Sequence, residues 1–153
     1  MKVERLDHIH IFVKDIKKAK GLFSRILGTN FSLTIVEENL KLQFALSPLG
    51  IELIEPTSRD SGVAKTLERR GEGLAGISFK VANIEQAITE LQSQGLRLVG
   101  KSETGSVKEA QFHPADACGV MLELCQYEEQ HSAALPALGK GLEDIKGSKL
   151  KGE

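Results

Sequence analysis

Apolar and polar positions alternate at the start of the chain, from Leu6 to Val13. One face carries branched apolar residues, namely Ile9, Ile11 and Val13, and the other carries His8, His10 and Phe12. A period of two predicts a β-strand. The apolar spacing then becomes helical through Ile16, Ala19, Phe23, Ile26 and Leu27, and Gly28 follows where a helix commonly ends.

Three further strands are predicted after this helix. They cover Phe31 to Val36, Leu40 to Leu46 and Ile51 to Glu55, and Pro56 ends the last of them. The first 56 residues are therefore predicted to form one β-α-β-β-β unit.

The same order of elements returns 68 residues later. Seven apolar positions match at this offset, pairing Leu6, Ile9, Ile11, Val13, Ile16, Ala19 and Phe23 with Leu74, Ile77, Phe79, Val81, Ile84, Ala87 and Leu91. The fourth strand repeats at an offset of 71, where Leu122-Glu123-Leu124 matches Ile51-Glu52-Leu53. The repeat predicts an α+β fold in which two βαβββ units form paired curved sheets around a cleft.

The repeats set the predicted domain boundaries. They span residues 6–56 and 74–126, and a short helix over 60–70 joins them, so residues 1–127 are predicted to form one domain. Residues 128–153 are rich in lysine and glycine and are predicted to be a polar tail, in which Ala133 to Leu142 is a candidate docked segment.

Composition narrows the classes of function. The 153 residues are 27% charged with a formal net charge of −1, which disfavours a general nucleic-acid binder and a protein that binds membranes by charge. No apolar run approaches the roughly 18 residues of a membrane span. Two cysteines lie seven residues apart, which fits neither a disulfide framework nor a CxxC site, so we expect a cytoplasmic protein.

Two glutamates and a histidine carry the candidate chemistry. Glu52 and Glu123 occupy equivalent places in the two repeats, and each is flanked by apolar residues that face away from it. A carboxylate inside an apolar strand is costly unless it is paired or binds a cation. Together with His8 they predict a site for Zn²⁺, Mn²⁺, Co²⁺ or Ni²⁺, because imidazole and carboxylate ligands suit these ions.

Each residue also has a plainer interpretation. The glutamates would be solvated on the open face of an antiparallel sheet, and His8 would be a hydrogen-bonded residue of the cleft. His10, on the same face as His8, is the weaker candidate ligand. The pair His113-Pro114 predicts a rigid turn, with contact to a substrate as the alternative.

Six segments of this sequence resemble one known superfamily: 6–9, 51–56, 60–65, 69–74, 112–114 and 119–124. They are similar to the vicinal oxygen chelate superfamily of glyoxalases, bleomycin-resistance proteins and extradiol dioxygenases. Asp60 to Leu74 resembles the methylmalonyl-CoA epimerase branch in particular. The resemblance implies that the family's metal ligands match His8, Glu52 and Glu123. The family's remaining ligand is a histidine, and its position is held here by Gly76, which has no side chain.

Gly76 leaves three interpretations open. The metal stays on three residues with an added water, His10 replaces the missing ligand, or the cleft works without a metal. Gln43 lies near the position of a third-strand glutamate of some epimerases, but its neutral amide does not accept a proton. The candidate catalytic residues are Glu123, Glu52 and Gln43, and the candidates for contact with substrate are His10, Gly76 and His113.

The resemblance implies an enzyme of the epimerase, isomerase or lyase type. It would remove a proton α to the carbonyl of an acyl-CoA or dicarbonyl substrate with the help of a divalent metal, and Glu123 or Glu52 would be the base. The alternative is a metal-free binding or resistance-type protein of the same fold. The implied partners are a small molecule and a second copy of the chain, because homodimers are expected by family analogy.

Overall fold

Two βαβββ units follow one another in the computed structural model, which describes residues 1–104 and 106–128. The first unit consists of β1 (Val3–Phe12), α1 (Ile16–Leu27), β2 (Ile35–Glu37), β3 (Leu42–Ser47) and β4 (Ile51–Pro56). The second consists of β5 (Gly73–Val81), α3 (Ile84–Ser93), β6 (Leu98–Thr104), β7 (Val107–Phe112) and β8 (Met121–Gln126). Helix α2 (Gly62–Arg70) joins them. The predicted α+β class and the duplicated order of elements are confirmed.

All eight strands belong to one curled sheet, in the order β2-β3-β4-β1-β5-β8-β7-β6. The first strands of the two units, β1 and β5, pair antiparallel at its centre, whereas β4 runs parallel to β1 and β8 runs parallel to β5. The two curved sheets that the sequence predicts are therefore one continuous sheet. Its two halves meet at the β1–β5 pair.

Strand register supports both offsets of the sequence repeat. His10 pairs with Glu52 between β1 and β4, and Ser78 pairs with Glu123 between β5 and β8. Adding 68 to residue 10 gives residue 78, and adding 71 to residue 52 gives residue 123. The two glutamates therefore occupy equivalent positions in three dimensions.

Helices α1 and α3 cover one face of the sheet, which we call the outer face. Asp15 and Asn83 cap their first turns by accepting backbone N–H bonds from Lys18 and Gln86. Gly28, at φ +63°, ends α1 in the left-handed conformation that glycine adopts without strain. Isoleucine, leucine and alanine side chains of α3 then pack on the second half of the sheet.

Helix α2 packs on the opposite, inner face. Ser61 caps it by accepting the Ala64 N–H at 3.0 Å. Val63 and Leu67 are buried against Ile54 and the inner-face side chains of the first half, namely Phe12, Leu42 and Phe44. The helix therefore covers part of the inner face of the first half.

The second predicted strand is shorter than expected. It begins at Ile35 instead of Phe31, because Ser32 interrupts the ladder with its side chain. The Ser32 hydroxyl accepts the Leu46 N–H at 3.0 Å, and the Ser32 N–H donates to the Leu46 carbonyl at 2.8 Å. A side-chain bond therefore replaces a regular backbone pairing at this point.

In the two described ranges, no helix is long and apolar enough to cross a membrane. From residue 129 onward the predicted tail, with its candidate segment Ala133 to Leu142, lies outside the described residues. The boundary between domain and tail stays a prediction.

Candidate metal centre

Four side chains from three strands meet on the inner face at the centre of the sheet. His8 and His10 come from β1, Glu52 from β4 and Glu123 from β8. Both histidines and Glu123 are buried, and Glu52 is mostly buried. The structure therefore brings together the three residues predicted to bind a metal, and it adds His10, the weaker candidate.

Imidazole nitrogens and carboxylate oxygens alternate around this cluster. The Nε2 atom of His8 lies 3.4 Å from Glu52 Oε2 and 3.4 Å from Glu123 Oε1. The Nε2 atom of His10 lies 3.2 Å and 3.4 Å from the same two oxygens. We call these four atoms the donor ring.

Neighbouring atoms of the donor ring are spaced as ligands around one cation are, and the donor atoms of His8, His10 and Glu52 all lie within 4.8 Å of one another. Bonds of about 2.0 to 2.2 Å to a central ion place neighbouring ligands about 3.0 to 3.5 Å apart. Among the described residues, four buried side-chain atoms have no hydrogen-bond partner, and two of them, His10 Nε2 and Glu123 Oε1, belong to the donor ring; the others are His10 Nδ1 and Ser78 Oγ. Buried polar atoms without partners are costly, so these residues fit a bound divalent ion.

Electrostatics favour positive charge inside the ring. Burial alone would raise the pKa of Glu123, but His10 and then His8 hold it well below its usual range. Burial would lower the pKa of both histidines, yet it is raised in each case by the surrounding carboxylates: Asp7, Glu123 and Glu52 at His8, and Glu123 and Glu52 at His10. Protons or a divalent cation would supply this charge.

Asp7 fixes the orientation of the His8 ring. Its buried carboxylate lies 2.8 Å from His8 Nδ1, so Nε2 is left to face Glu52 and Glu123. The other carboxylate oxygen accepts the hydroxyl proton of Tyr127. Burial opposes ionisation of Asp7, but the bonds from His8 and Tyr127 hold its pKa below its usual range. A carboxylate behind a histidine is a common outer shell of metal sites.

The two glutamates have different neighbours on the adjacent strand. Gln111 lies opposite Glu123 and donates an Nε2–H bond to Glu123 Oε2 at 2.8 Å. Leu46 lies opposite Glu52 and offers no side-chain donor. Glu123 is therefore held in place by its neighbour, whereas Glu52 is not.

Glu109 is a third carboxylate on the inner face, two residues before Gln111 on β7. It accepts the Ser102 hydroxyl proton at 3.0 Å and is half-buried. Burial, followed by the charges of Glu123 and Glu52, raises the pKa of Glu109 to about 7. A carboxyl group of this pKa exchanges protons readily near neutral pH.

Gln43 lies away from the donor ring, although the family resemblance placed it near a third-strand glutamate of some epimerases. Pairing of Leu46 with Glu52 puts the odd-numbered residues of β3 on the outer face. Gln43 Nε2 donates to Glu55 at 2.7 Å, and the same carboxylate oxygen accepts the Ile16 N–H at the start of α1. The amide therefore anchors a helix and lies away from the donor ring.

The remaining predicted residues lie in separate places. His113 forms the predicted turn, because its Nδ1 accepts the Ala115 N–H at 3.1 Å at the start of a short 3-10 helix. Gly76 lies directly opposite His10 in the β1–β5 pair. Their contact with a substrate stays a prediction.

Sequence reasoning missed Asp7, Gln111 and Glu109. A signal for the last two was present, because β7 alternates polar Glu109 and Gln111 with apolar Ala110 and Phe112. That pattern marks a strand with one polar face toward the cleft.

Comparison with known proteins agrees with this fold. The sequence profile of the Glyoxalase/Bleomycin resistance protein/Dioxygenase superfamily matches residues 7–127. The chain is 33% identical over 137 residues to the uncharacterized protein YqjC of Bacillus subtilis, which covers 85% of this chain and 98% of that protein. It is also 33% identical over 129 residues to human mitochondrial methylmalonyl-CoA epimerase, and this match covers 80% of this chain and 73% of the epimerase.

A solved structure shows the same relationship. It is a variant of Streptomyces coelicolor methylmalonyl-CoA epimerase in complex with 2-nitronate-propionyl-CoA. The TM-score is 0.74 at 28% identity, covering 82% of this chain and 99% of that one. The match spans the duplicated sheet that carries the donor ring, and the chain belongs to the Glyoxalase/Bleomycin resistance protein/Dioxygenase superfamily.

Proposed function

We propose that this protein is a metal-dependent enzyme that removes the proton α to a carbonyl group of an acyl-CoA, in the manner of an epimerase. The donor ring is the observation that carries the proposal. Two imidazoles and two carboxylates are brought together from three strands, with neighbouring nitrogen and oxygen atoms 3.2 to 3.4 Å apart.

His8, His10, Glu52 and Glu123 would hold the metal. A bound Zn²⁺, Co²⁺, Mn²⁺ or Ni²⁺ would supply Lewis-acid stabilisation of the negative charge that develops on the substrate carbonyl. Asp7 keeps His8 in the orientation that this requires, and Gln111 does the same for Glu123.

The substrate proton needs an acceptor on the inner face. The sequence predicts Glu52 or Glu123, and both belong to the donor ring. We add Glu109, a half-buried carboxylate that lies outside the ring on the same face and accepts a hydrogen bond from Ser102. A Glu109→Gln variant separates these candidates, since it is expected to lower proton exchange while leaving the Co²⁺ affinity intact.

Relatives support an acyl-CoA as the substrate class. Two of the similar proteins described above are methylmalonyl-CoA epimerases, and one of them is bound to a propionyl-CoA derivative. Shared fold alone does not transfer an activity. In this chain, the feature beyond the fold that supports metal-assisted removal of an α-proton is the donor ring.

The test measures metal content and α-proton exchange together. Protein purified without chelator is expected to contain close to one equivalent of divalent metal per chain. Addition of methylmalonyl-CoA in deuterated water is then expected to give exchange at the α-carbon, detected by mass spectrometry. Chelator treatment should stop the exchange and Co²⁺ should restore it. Lys41→Ala, which removes an exposed ion pair with Asp60, is the control expected to behave as wild type.

A metal-free binding protein is the second candidate. Gly76 favours it, because the position predicted for a ligand has no side chain. Binding of acyl-CoA without metal and without exchange would support this candidate and contradict the proposed enzyme. We further propose that the protein is a cytoplasmic homodimer. Light scattering of the purified chain tests the dimer.

A further inference from the structure

The donor ring lacks the twofold symmetry of the sheet that carries it. Glu52 and Glu123 are equivalent in the two repeats. At the offset of 68, His8 is equivalent to Gly76, and His10 is equivalent to Ser78. A symmetric centre would take its second imidazole from residue 76 on β5. The structure takes it from His10 on β1.

The ring of His10 occupies the space that a side chain at residue 76 would need. His10 and Gly76 are direct partners across the β1–β5 pair. A Cβ atom built on Gly76 would lie 2.7 Å from His10 Nδ1, 3.2 Å from His10 Cγ and 3.1 Å from the Met121 carbonyl oxygen. A distance of 2.7 Å is shorter than a Cβ atom tolerates and the other two are tight, so a side chain at 76 and this position of the His10 ring exclude each other.

The backbone itself does not require a glycine at this position. Among the described glycines, those with positive φ are 28, 50, 71, 73, 95 and 119, and Gly76 is not one of them. Glycine inside a strand is unfavourable in conformational entropy and often marks a close approach of another group. At Gly76 the approaching group is the imidazole of His10.

We propose that residues 10 and 76 form one exchangeable ligand position of the metal centre. The second imidazole reaches the donor ring from β1 when residue 76 is glycine, and it would reach the ring from β5 if histidine stood at 76 and glycine at 10. Gly76 is thus a positioning residue that acts through His10. This inference rests on the proposed metal centre and specifies how its fourth ligand is supplied.

The test compares Co²⁺ affinity, by isothermal titration and by the visible absorption of bound Co²⁺, in the full chain and four variants. His10→Gly is expected to weaken binding about 10-fold or more, because even outer-shell partners contribute about 10- to 100-fold. Gly76→Ala is expected to weaken it similarly by displacing the His10 ring. The double variant His10→Gly/Gly76→His is expected to recover most of the lost affinity.

Gly21→Ala is the matched control, because a Cβ atom at Gly21 meets nothing within 4 Å. It should bind Co²⁺ as wild type does. Circular dichroism verifies that each variant is folded, and if Gly76→Ala does not fold, the comparison of His10→Gly with the double variant decides the question.

Two results would overturn the exchange. One is a folded Gly76→Ala protein with unchanged Co²⁺ affinity, and the other is a double variant that binds no better than His10→Gly. Failure of the proposed function looks different, because the wild-type chain itself would then bind no Co²⁺.

Discussion

The two halves of the sheet share one architecture but differ in the metal-binding groups they supply and in how tightly their helices pack. To the donor ring, the first half supplies two imidazoles and one carboxylate, whereas the second supplies one carboxylate, which Gln111 holds. On the outer face the balance is reversed. Helix α3 buries Ile84, Ala87, Ile88 and Leu91, whereas in α1 only Ile16 is buried to this degree.

The difference shows which features a duplicated fold must keep. Both halves keep strand register and the inward glutamate, because a shift of one residue would turn every side chain to the other face. Neighbours of the glutamate and the packing of the helix have diverged. Three of the four donor-ring atoms come from the first half, and the larger buried cluster lies in the second.

The largest predicted effect contrasts the two equivalent glutamates. Glu123→Gln removes a charge that is buried and oriented by Gln111, so we expect Co²⁺ affinity to fall about 100-fold, the upper end of outer-shell effects. Glu52→Gln should cost less, since Glu52 is more exposed and lacks a donor on the neighbouring strand. Isothermal titration measures both. Equal losses would contradict the asymmetry.

The second prediction contrasts the two helices by the same substitution. Leu91→Ala opens a cavity in the buried cluster under α3 and is expected to lower the free energy of unfolding by about 2 to 5 kcal/mol. Leu22→Ala in α1 is the matched control, because Leu22 is 45% exposed and should cost less than about 1 kcal/mol. Urea unfolding distinguishes them. A cost at Leu22 as large as that at Leu91 would refute the difference.

The third prediction concerns pH and the polar face of the second half. The pKa of Glu109 is about 7 in the folded chain against an ordinary 4.5, so between these values the folded state holds a proton that the unfolded state releases. Stability from this group is complete below about pH 4.5 and is lost as the pH rises through 7. In metal-free protein, Glu109→Gln should therefore gain stability relative to wild type between pH 5 and pH 8.

Glu103→Gln, at an exposed position on neighbouring β6, is the control for this experiment. Urea unfolding at pH 5 and pH 8 gives the change in unfolding free energy for each protein. An identical pH dependence for wild type and Glu109→Gln would show that Glu109 does not hold the extra proton.

The smallest predicted effect tests the neighbour of Glu123. The Gln111→Leu variant gives Glu123 a leucine neighbour, as Glu52 has in Leu46. We expect Co²⁺ affinity to fall about 10-fold, because the 2.8 Å hydrogen bond from Gln111 to Glu123 is lost. Gln43→Leu is the matched control, because Gln43 has the same amide on the outer face, bonded to Glu55. A larger effect at Gln43 would contradict the face assigned to it.

Local pattern was sufficient to predict the order of the elements and their duplication, but not the residue at which β2 begins. Alternation placed His8 and His10 on one face, and helical spacing with Gly28 at its end gave the bounds of α1. The equivalence of Glu52 and Glu123 required only the offset of the repeat. Each of these signals lies within a dozen residues or in the repeat itself.

Features that depend on pairing between distant segments could not be predicted. Strict alternation puts Asp7 and His8 on opposite faces, but β1 has an irregularity between Leu6 and His8 that allows the two side chains to meet. The face of Gln43 depends on the pairing of Leu46 with Glu52, which the sequence of β3 alone does not specify. The two predicted sheets form one continuous sheet because β1 pairs with β5, and these strands are far apart in the sequence.

The order of the strands along the chain has a consequence for folding. His8, His10 and Glu52 belong to the first 56 residues, while Glu123 lies on the final described strand. The donor ring therefore joins segments from both ends of the described chain. An ion held by these side chains would bind the folded domain and not the unfolded chain, so its binding would stabilise the fold as a whole.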